Sequence, residues 1–248
     1  MMNEFYVGYA TTMPIGLRLF VRRVVVALGL LAIAVAIVLL SGQMPFAMSA
    51  FEFGQSRTFE GILDTTPYPT LLVERPGAIG STPRYSRYLL VAPGKHGADV
   101  LFAGVNSERV HFKGQLIHRA GQTMIEVEPS SVQTLANVEA GPEEFHSLGE
   151  VSVTGEIVDS KCFLGVMNPA VGKVHRDCAS RCISGGVPPM FITNAGDQFL
   201  LVGPDEKAFQ RDALRSFIAE SITLQGELLK RGDSKYLKID PAGLRHSN

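Results

Sequence analysis

The chain has 248 residues, 46% of them apolar and 19% charged, with a formal net charge of −1, which excludes a disordered polymer and allows two small domains. Near neutrality gives no basic surface for nucleic acid, and the absence of tryptophan removes the strongest stacking platform for bases or sugars. Only three cysteines and six histidines are present, so a site built from soft donors must draw on very few residues.

The first element is an uncharged apolar run, residues 24–40 (VVVALGLLAIAVAIVLL). It lies at the short end of the roughly 17 to 25 residues that cross a bilayer as a helix. Arg18, Arg22 and Arg23 precede it, and the next basic residue is Arg57. The positive-inside rule therefore predicts a cytoplasmic segment 1–23, a transmembrane anchor 24–40 and an extracytoplasmic remainder. The expected location is the bacterial inner membrane, with the C-terminal domains in the periplasm. Ala47-Met48-Ser49 offers a small-x-small pattern for a signal peptidase, but the apolar run exceeds the usual h-region of about 7 to 15 residues. An uncleaved anchor is the preferred reading, followed by a linker at 41–56.

Two later stretches repeat one plan. Residues 110–129 (VHFKGQLIHRAGQTMIEVEP) and 222–241 (ITLQGELLKRGDSKYLKIDP) align without gaps, matching Gly114 with Gly226, Leu116 with Leu228, Arg119 with Arg231 and Pro129 with Pro241. Alternating apolar positions around a glycine-containing turn predict a β-hairpin in each. Upstream, Leu89-Leu90-Val91-Ala92-Pro93 parallels Leu200-Leu201-Val202-Gly203-Pro204, and 59–64 parallels 154–159. In the second copy the pattern predicts strands at 150–159, 190–193 and 198–202, a helix at 205–219 and a closing hairpin. Five strands with a helix between the third and fourth is the plan of an OB-type barrel. The first copy reads as the same barrel with a degraded helix around 96–102.

The predicted fold class is thus mainly β: an N-terminal transmembrane helix and two tandem OB-like β-barrels, the second with an inserted Cys/His-bearing helix. The domains are expected at 57–139 and 150–241, separated by a polar linker at 140–149 and followed by a tail at 242–248.

All three cysteines fall in residues 155–189 (GEIVDSKCFLGVMNPAVGKVHRDCASRCISGGVPP). A helix over 174–184 would place His175, Cys178 and Cys182 at i, i+3 and i+7 on one face, with Cys162 arriving from a strand end. Cys162, His175, Cys178 and Cys182 are then the candidate metal ligands, a set that suits zinc or Cu(I). Two alternatives stay open. A disulfide from Cys162 to Cys178 or Cys182 would staple the loop of an interaction module and leave one free thiol. A dithiol of Cys178 and Cys182, activated by His175, Arg176 and Arg181, would make a thiol oxidoreductase.

Around this set, Met167 is read as packed rather than as a thioether donor, and Asp159 and Lys161 as strand-end charges rather than groups that orient His175. His111 and His118 are expected to face solvent, and His146 is a weak extra ligand. No nucleophile elbow, P-loop or dinucleotide fingerprint is present, so the chain reads as a non-enzyme.

Gly155-Glu156, Val158-Asp159, Cys162, His175, Cys178-Ala179, Cys182, Gly185-Gly186 and Pro188 together resemble a motif of small exported bacterial proteins with OB-like barrels and poorly assigned function. The resemblance covers residues 155–188 and implies a β-barrel host and metal binding. The Cys-x3-Cys spacing is also similar to that in Sco-type copper chaperones and the binuclear copper domain of cytochrome oxidase, whose thioredoxin and cupredoxin contexts are missing here. The expected role is a copper- or zinc-binding accessory protein of a redox or metal-handling system. Its expected associations are the membrane and a protein partner there or in the periplasm, with no nucleic acid.

Overall fold

The computed structural model describes residues 12–41, 49–77, 84–105, 107–137 and 143–245. Two compact units divide the chain at residue 46. In the first, Ile15–Ser41 is a continuous helix, α1, none of whose residues is buried. By length and composition it can cross a membrane. It takes in Arg18, Arg22 and Arg23 as well as the whole apolar run. Ala47 and Met48 of the small-x-small pattern lie outside the described residues.

The second unit holds both barrels. Its first half contains β1 (Ser49–Phe51), β2 (Arg57–Asp64), β3 (Thr70–Glu74), β4 (Tyr85–Ala92), β5 (His96–Gly97), β6 (Glu108–Arg119), β7 (Gln122–Val127) and β8 (Gln133–Asn137). The hydrogen-bonded circuit β2-β3-β4-β7-β6-β2 closes a five-stranded barrel, with β1 and β8 added along β6 and β5 along β4. The second half contains β9 (His146–Asp159), β10 (Pro189–Thr193), β11 (Gln198–Val202), β12 (Ile222–Arg231) and β13 (Ser234–Lys238), closed as β9-β10-β11-β13-β12. Each barrel has one parallel pair, β4 with β7 and β11 with β13, and Leu89 opposite Met124 corresponds to Leu200 opposite Tyr236. The same strand order in both halves is the OB-type plan.

Period-two burial makes these strands. Along β6, Val110 and Phe112 are buried while His111 and Lys113 point outward. The aligned glycines serve close approach: a Cβ on Gly114 would lie 2.6 Å from Glu126 O, and one on Gly226 2.3 Å from Lys238 O.

Three features differ from the sequence pattern. The stretch read as a linker at 41–56 contributes β1, and β9 starts at His146, within 140–149. The helix expected at 205–219 shrinks to Arg211–Leu214, α3. Backbone groups that a longer helix would use are engaged elsewhere: Gly203 N bonds Lys207 O, Ala208 bridges Val202, and Ala219 N bonds Ile157 O. Phe209, Leu214 and Ile218 are buried all the same, so a wrapped loop buries the apolar residues of this stretch without a long helix.

The barrels share a core. Tyr68, Leu89, Val91, Ile117 and Met124 of the first pack in one cluster with Val158, Met190, Leu200, Leu229 and Tyr236 of the second. The Tyr68 hydroxyl donates to Leu201 O at 2.6 Å and accepts from Phe209 N at 3.1 Å. Asp64 holds both Arg87 (2.8 Å) and Arg231 (3.0 Å), one from each barrel.

Between β9 and β10 the chain makes a wide helical turn at Cys162–Val166, a 3-10 turn at Lys173–His175 and a helix, α2, at Arg176–Ser184. The corresponding connection in the first barrel runs only over residues 65–69.

Candidate metal centre

The centre is built on the end of β9. Asp159 is fully buried there, because the inserted segment folds back over the barrel mouth. Its Oδ1 accepts the Cys162 N–H at 2.8 Å, fixing the first turn after the strand. Its Oδ2 lies 2.9 Å from His175 Nε2, and the His175 side chain is 1% exposed. Asp159 is thus no surface charge: it ties the start of the insertion to the turn before α2.

Cys178 and Cys182 stand one turn apart on α2 and face Cys162. The three sulfurs lie within 4.8 Å of one another, with Cys162 and Cys178 at 3.9 Å. All three are free in this structure. A metal held about 2.3 Å from each thiolate sets tetrahedral sulfur–sulfur edges of roughly 3.8 Å, so the separations suit a shared ion.

His175 joins a second three-donor group, with Asp159 and Cys162, whose ligand atoms also lie within 4.8 Å. The expectation placed it on one helix face with Cys178 and Cys182. The 3-10 turn before α2 gives His175 a backbone of φ −98° and ψ −7°, and its ring meets Asp159 instead. Cys162 is the corner shared by the two groups.

Sequence reasoning missed Lys95. It lies in the β4–β5 hairpin of the first barrel, and its Nζ is 2.7 Å from Cys178 Sγ and 4.0 Å from Cys182 Sγ. Buried Lys161 pins that hairpin by donating to Ala92 O at 2.8 Å and Gly94 O at 2.7 Å, and it pairs with Glu126. The hairpin meets the end of α2 through glycines. Gly97 N donates to Gly185 O at 3.0 Å, and a Cβ on Gly185 would stand 1.9 Å from Lys95 O. The only trace in the sequence is a lysine within Gly94-Lys95-His96-Gly97, which no helical or strand pattern singles out.

The thiols are unlike one another. Hydrogen bonding to Cys182, followed by burial, pushes the Cys162 thiol well above the ordinary range. That same bond lowers Cys182, aided by Lys95, although burial opposes it. The hydrogen bond to Cys178 raises Lys95 and so favours its ammonium form.

The remaining candidates lie apart. Arg176, read as a thiol activator, is engaged by Glu220 at 2.7 Å and Ser216 O at 3.2 Å, and Arg181 is exposed. Met167, read as packed, is 43% exposed. His111 and His118 sit on the surface near Glu60 and Glu52, and His146 is exposed at the start of β9. Comparison of the chain with protein-family models, with curated proteins and with solved structures finds no match in any of the three.

Proposed function

We propose that the chain is a membrane-anchored, extracytoplasmic metal-binding accessory protein that holds one copper or zinc ion through Cys162, Cys178 and Cys182. The observation that carries the reading is the convergence of three free sulfurs from two separate segments within 4.8 Å, at the end of a strand and under the first barrel. Three thiolates form a soft donor set, which suits Cu(I) or Zn²⁺. His175 completes the set or, through Asp159, orients Cys162; carboxylate and imidazole partners of this kind hold metal ligands in place. The ammonium of Lys95 offsets part of the charge that three thiolates bring together. The proposed orientation, with both barrels outside the cytoplasm, rests on Arg18, Arg22 and Arg23 before the apolar run. The accessory role for a membrane or periplasmic partner follows from that placement and from the lack of any recognised catalytic constellation.

The test is metal stoichiometry on the full chain, purified anaerobically in detergent with reductant and then offered Zn²⁺ or Cu(I). One ion per chain with all three thiols shielded from a thiol reagent is the expected result. Three freely reacting thiols and no retained metal would overturn the reading.

A further inference from the structure

Lys95 and Cys178 are 83 residues apart in sequence and belong to different barrels, yet the amine nitrogen stands 2.7 Å from the sulfur. An N–H···O bond spans about 2.7 to 3.2 Å between heavy atoms, and sulfur is a larger acceptor than oxygen. The hydrogen bond is a short one for a sulfur acceptor, and its span suits one bridging atom. Among the described residues, both polar partners of the Lys95 amine are sulfurs.

The hairpin that carries the amine is held in place. Its own backbone is packed against Gly185, the hairpin is pinned from below by Lys161, and Gly97 is bonded to Gly185. Of the three sulfurs, Cys162 and Cys182 belong to residues that are 3% and 1% exposed, whereas Cys178 is half-buried. An oxidant from solvent reaches Cys178 first, beside an exposed lysine.

We propose that Lys95 and Cys178 are the two ends of an oxidative N–O–S crosslink, a modification site that joins the two barrels covalently through one oxygen atom. The oxidant is dioxygen, and the reacting groups are the Cys178 thiol and the Lys95 amine that the contact brings together. The O–O bond breaks; one oxygen forms the S–O and O–N bonds, and the other leaves as water with the thiol proton and one amine proton. Sulfur and nitrogen each give up two electrons, and dioxygen takes all four. The remaining amine proton stays on nitrogen, and both sides of the step are neutral. The crosslink stands on the Lys95–Cys178 geometry and does not depend on the metal reading.

The experiment uses the full chain in detergent, stripped of metal under reductant, because a bound ion would shield Cys178, and then exposed to air. Intact mass should rise by about 14 Da, one oxygen gained and two hydrogens lost, and return on treatment with dithiothreitol. Tryptic digestion should leave the bond after Lys95 uncut and yield one peptide pair joined between Lys95 and Cys178. Lys95→Arg, which keeps the positive charge, and Cys178→Ser should both lack the gain while retaining the thermal transition of the reduced, metal-free wild type. An unchanged mass, a loss of about 2 Da from a disulfide, or a gain of about 16 or 32 Da from sulfenic or sulfinic acid would each overturn the crosslink. Persistence of the 14 Da gain in Lys95→Arg would overturn it as well. Metal stoichiometry of protein kept reduced is read separately, so either idea can fail without the other.

Discussion

Asp159 and His175 are bonded side chain to side chain, Oδ2 to Nε2 at 2.9 Å, in a place that solvent does not reach. His175→Ala leaves Asp159 Oδ2 without that partner, and a buried polar group left unsatisfied costs about 1 to 3 kcal/mol of stability. Asp159→Asn keeps an oxygen for the Cys162 N–H but loses the carboxylate. Both variants should weaken metal binding about 10- to 100-fold while still binding one ion. Competition against a chromophoric chelator checks this, and unchanged affinity in both variants would reduce the pair to a structural tie.

The three cysteines should behave differently from that pair. Replacing Cys162, Cys178 or Cys182 by serine removes a proposed ligand, so stoichiometry itself should fall below one at micromolar metal. Binding that favours the native state stabilises it by about 2.7 kcal/mol when free metal is a hundredfold above Kd, so the wild type should melt at higher temperature with metal than without. A serine variant that keeps the full metal-dependent shift excludes that cysteine as a ligand.

The glycine contact between hairpin and helix gives a third prediction. In Gly185→Ala the new methyl meets Lys95 O at 1.9 Å, and backbone has to move to admit it. Overpacking of this kind costs about 1 to 3 kcal/mol. Gly243→Ala is the control, since nothing lies within 4 Å of its added Cβ. Denaturant unfolding should show the loss in the first variant and almost none in the second.

Tyr68 supplies the pH dependence. Burial pushes its phenol well above the ordinary tyrosine value, and burial raises Tyr236 in the same direction. A group whose folded value is raised contributes its full stability below the unfolded value, about 10 for tyrosine, and loses it as pH climbs toward the folded value. Stability should therefore decline on the alkaline side of pH 10. Tyr68→Phe should flatten that limb and cost about 1 to 3 kcal/mol near neutrality, through the unpaired Leu201 O and Phe209 N. Absorbance titration should find two of the six tyrosines ionising only as the protein unfolds.

The repeated hairpins were legible because period-two burial and the close-approach glycines Gly114 and Gly226 leave local marks in the sequence. The clustering of the cysteines was legible from i, i+4 spacing on one short helix. Lys95 was not: its partners are 83 and 87 residues away, and only the docking of one barrel on the other brings them together. Asp159 and Lys161 looked like surface charges at a strand end, because nothing local reveals that residues 160–188 fold back to cover them. Asp64 at the end of β2 and Asp159 at the end of β9 are corresponding positions that took opposite partners, two arginines in one case and a histidine with a peptide N–H in the other. The apolar residues of 205–219 suggested a long helix, but a wrapped loop buries Phe209, Leu214 and Ile218 as well.

The core cluster that runs from Tyr68 through Met190 to Tyr236 crosses from one barrel into the other, beside the buried ion pairs of Asp64 with Arg87 and Arg231. Two barrels joined in this way resemble a pair of subunits fused into one chain more than beads on a string. Each closed barrel covers an apolar face of the other, so a nick or truncation between them would expose that face on both, and unfolding should proceed as a single event.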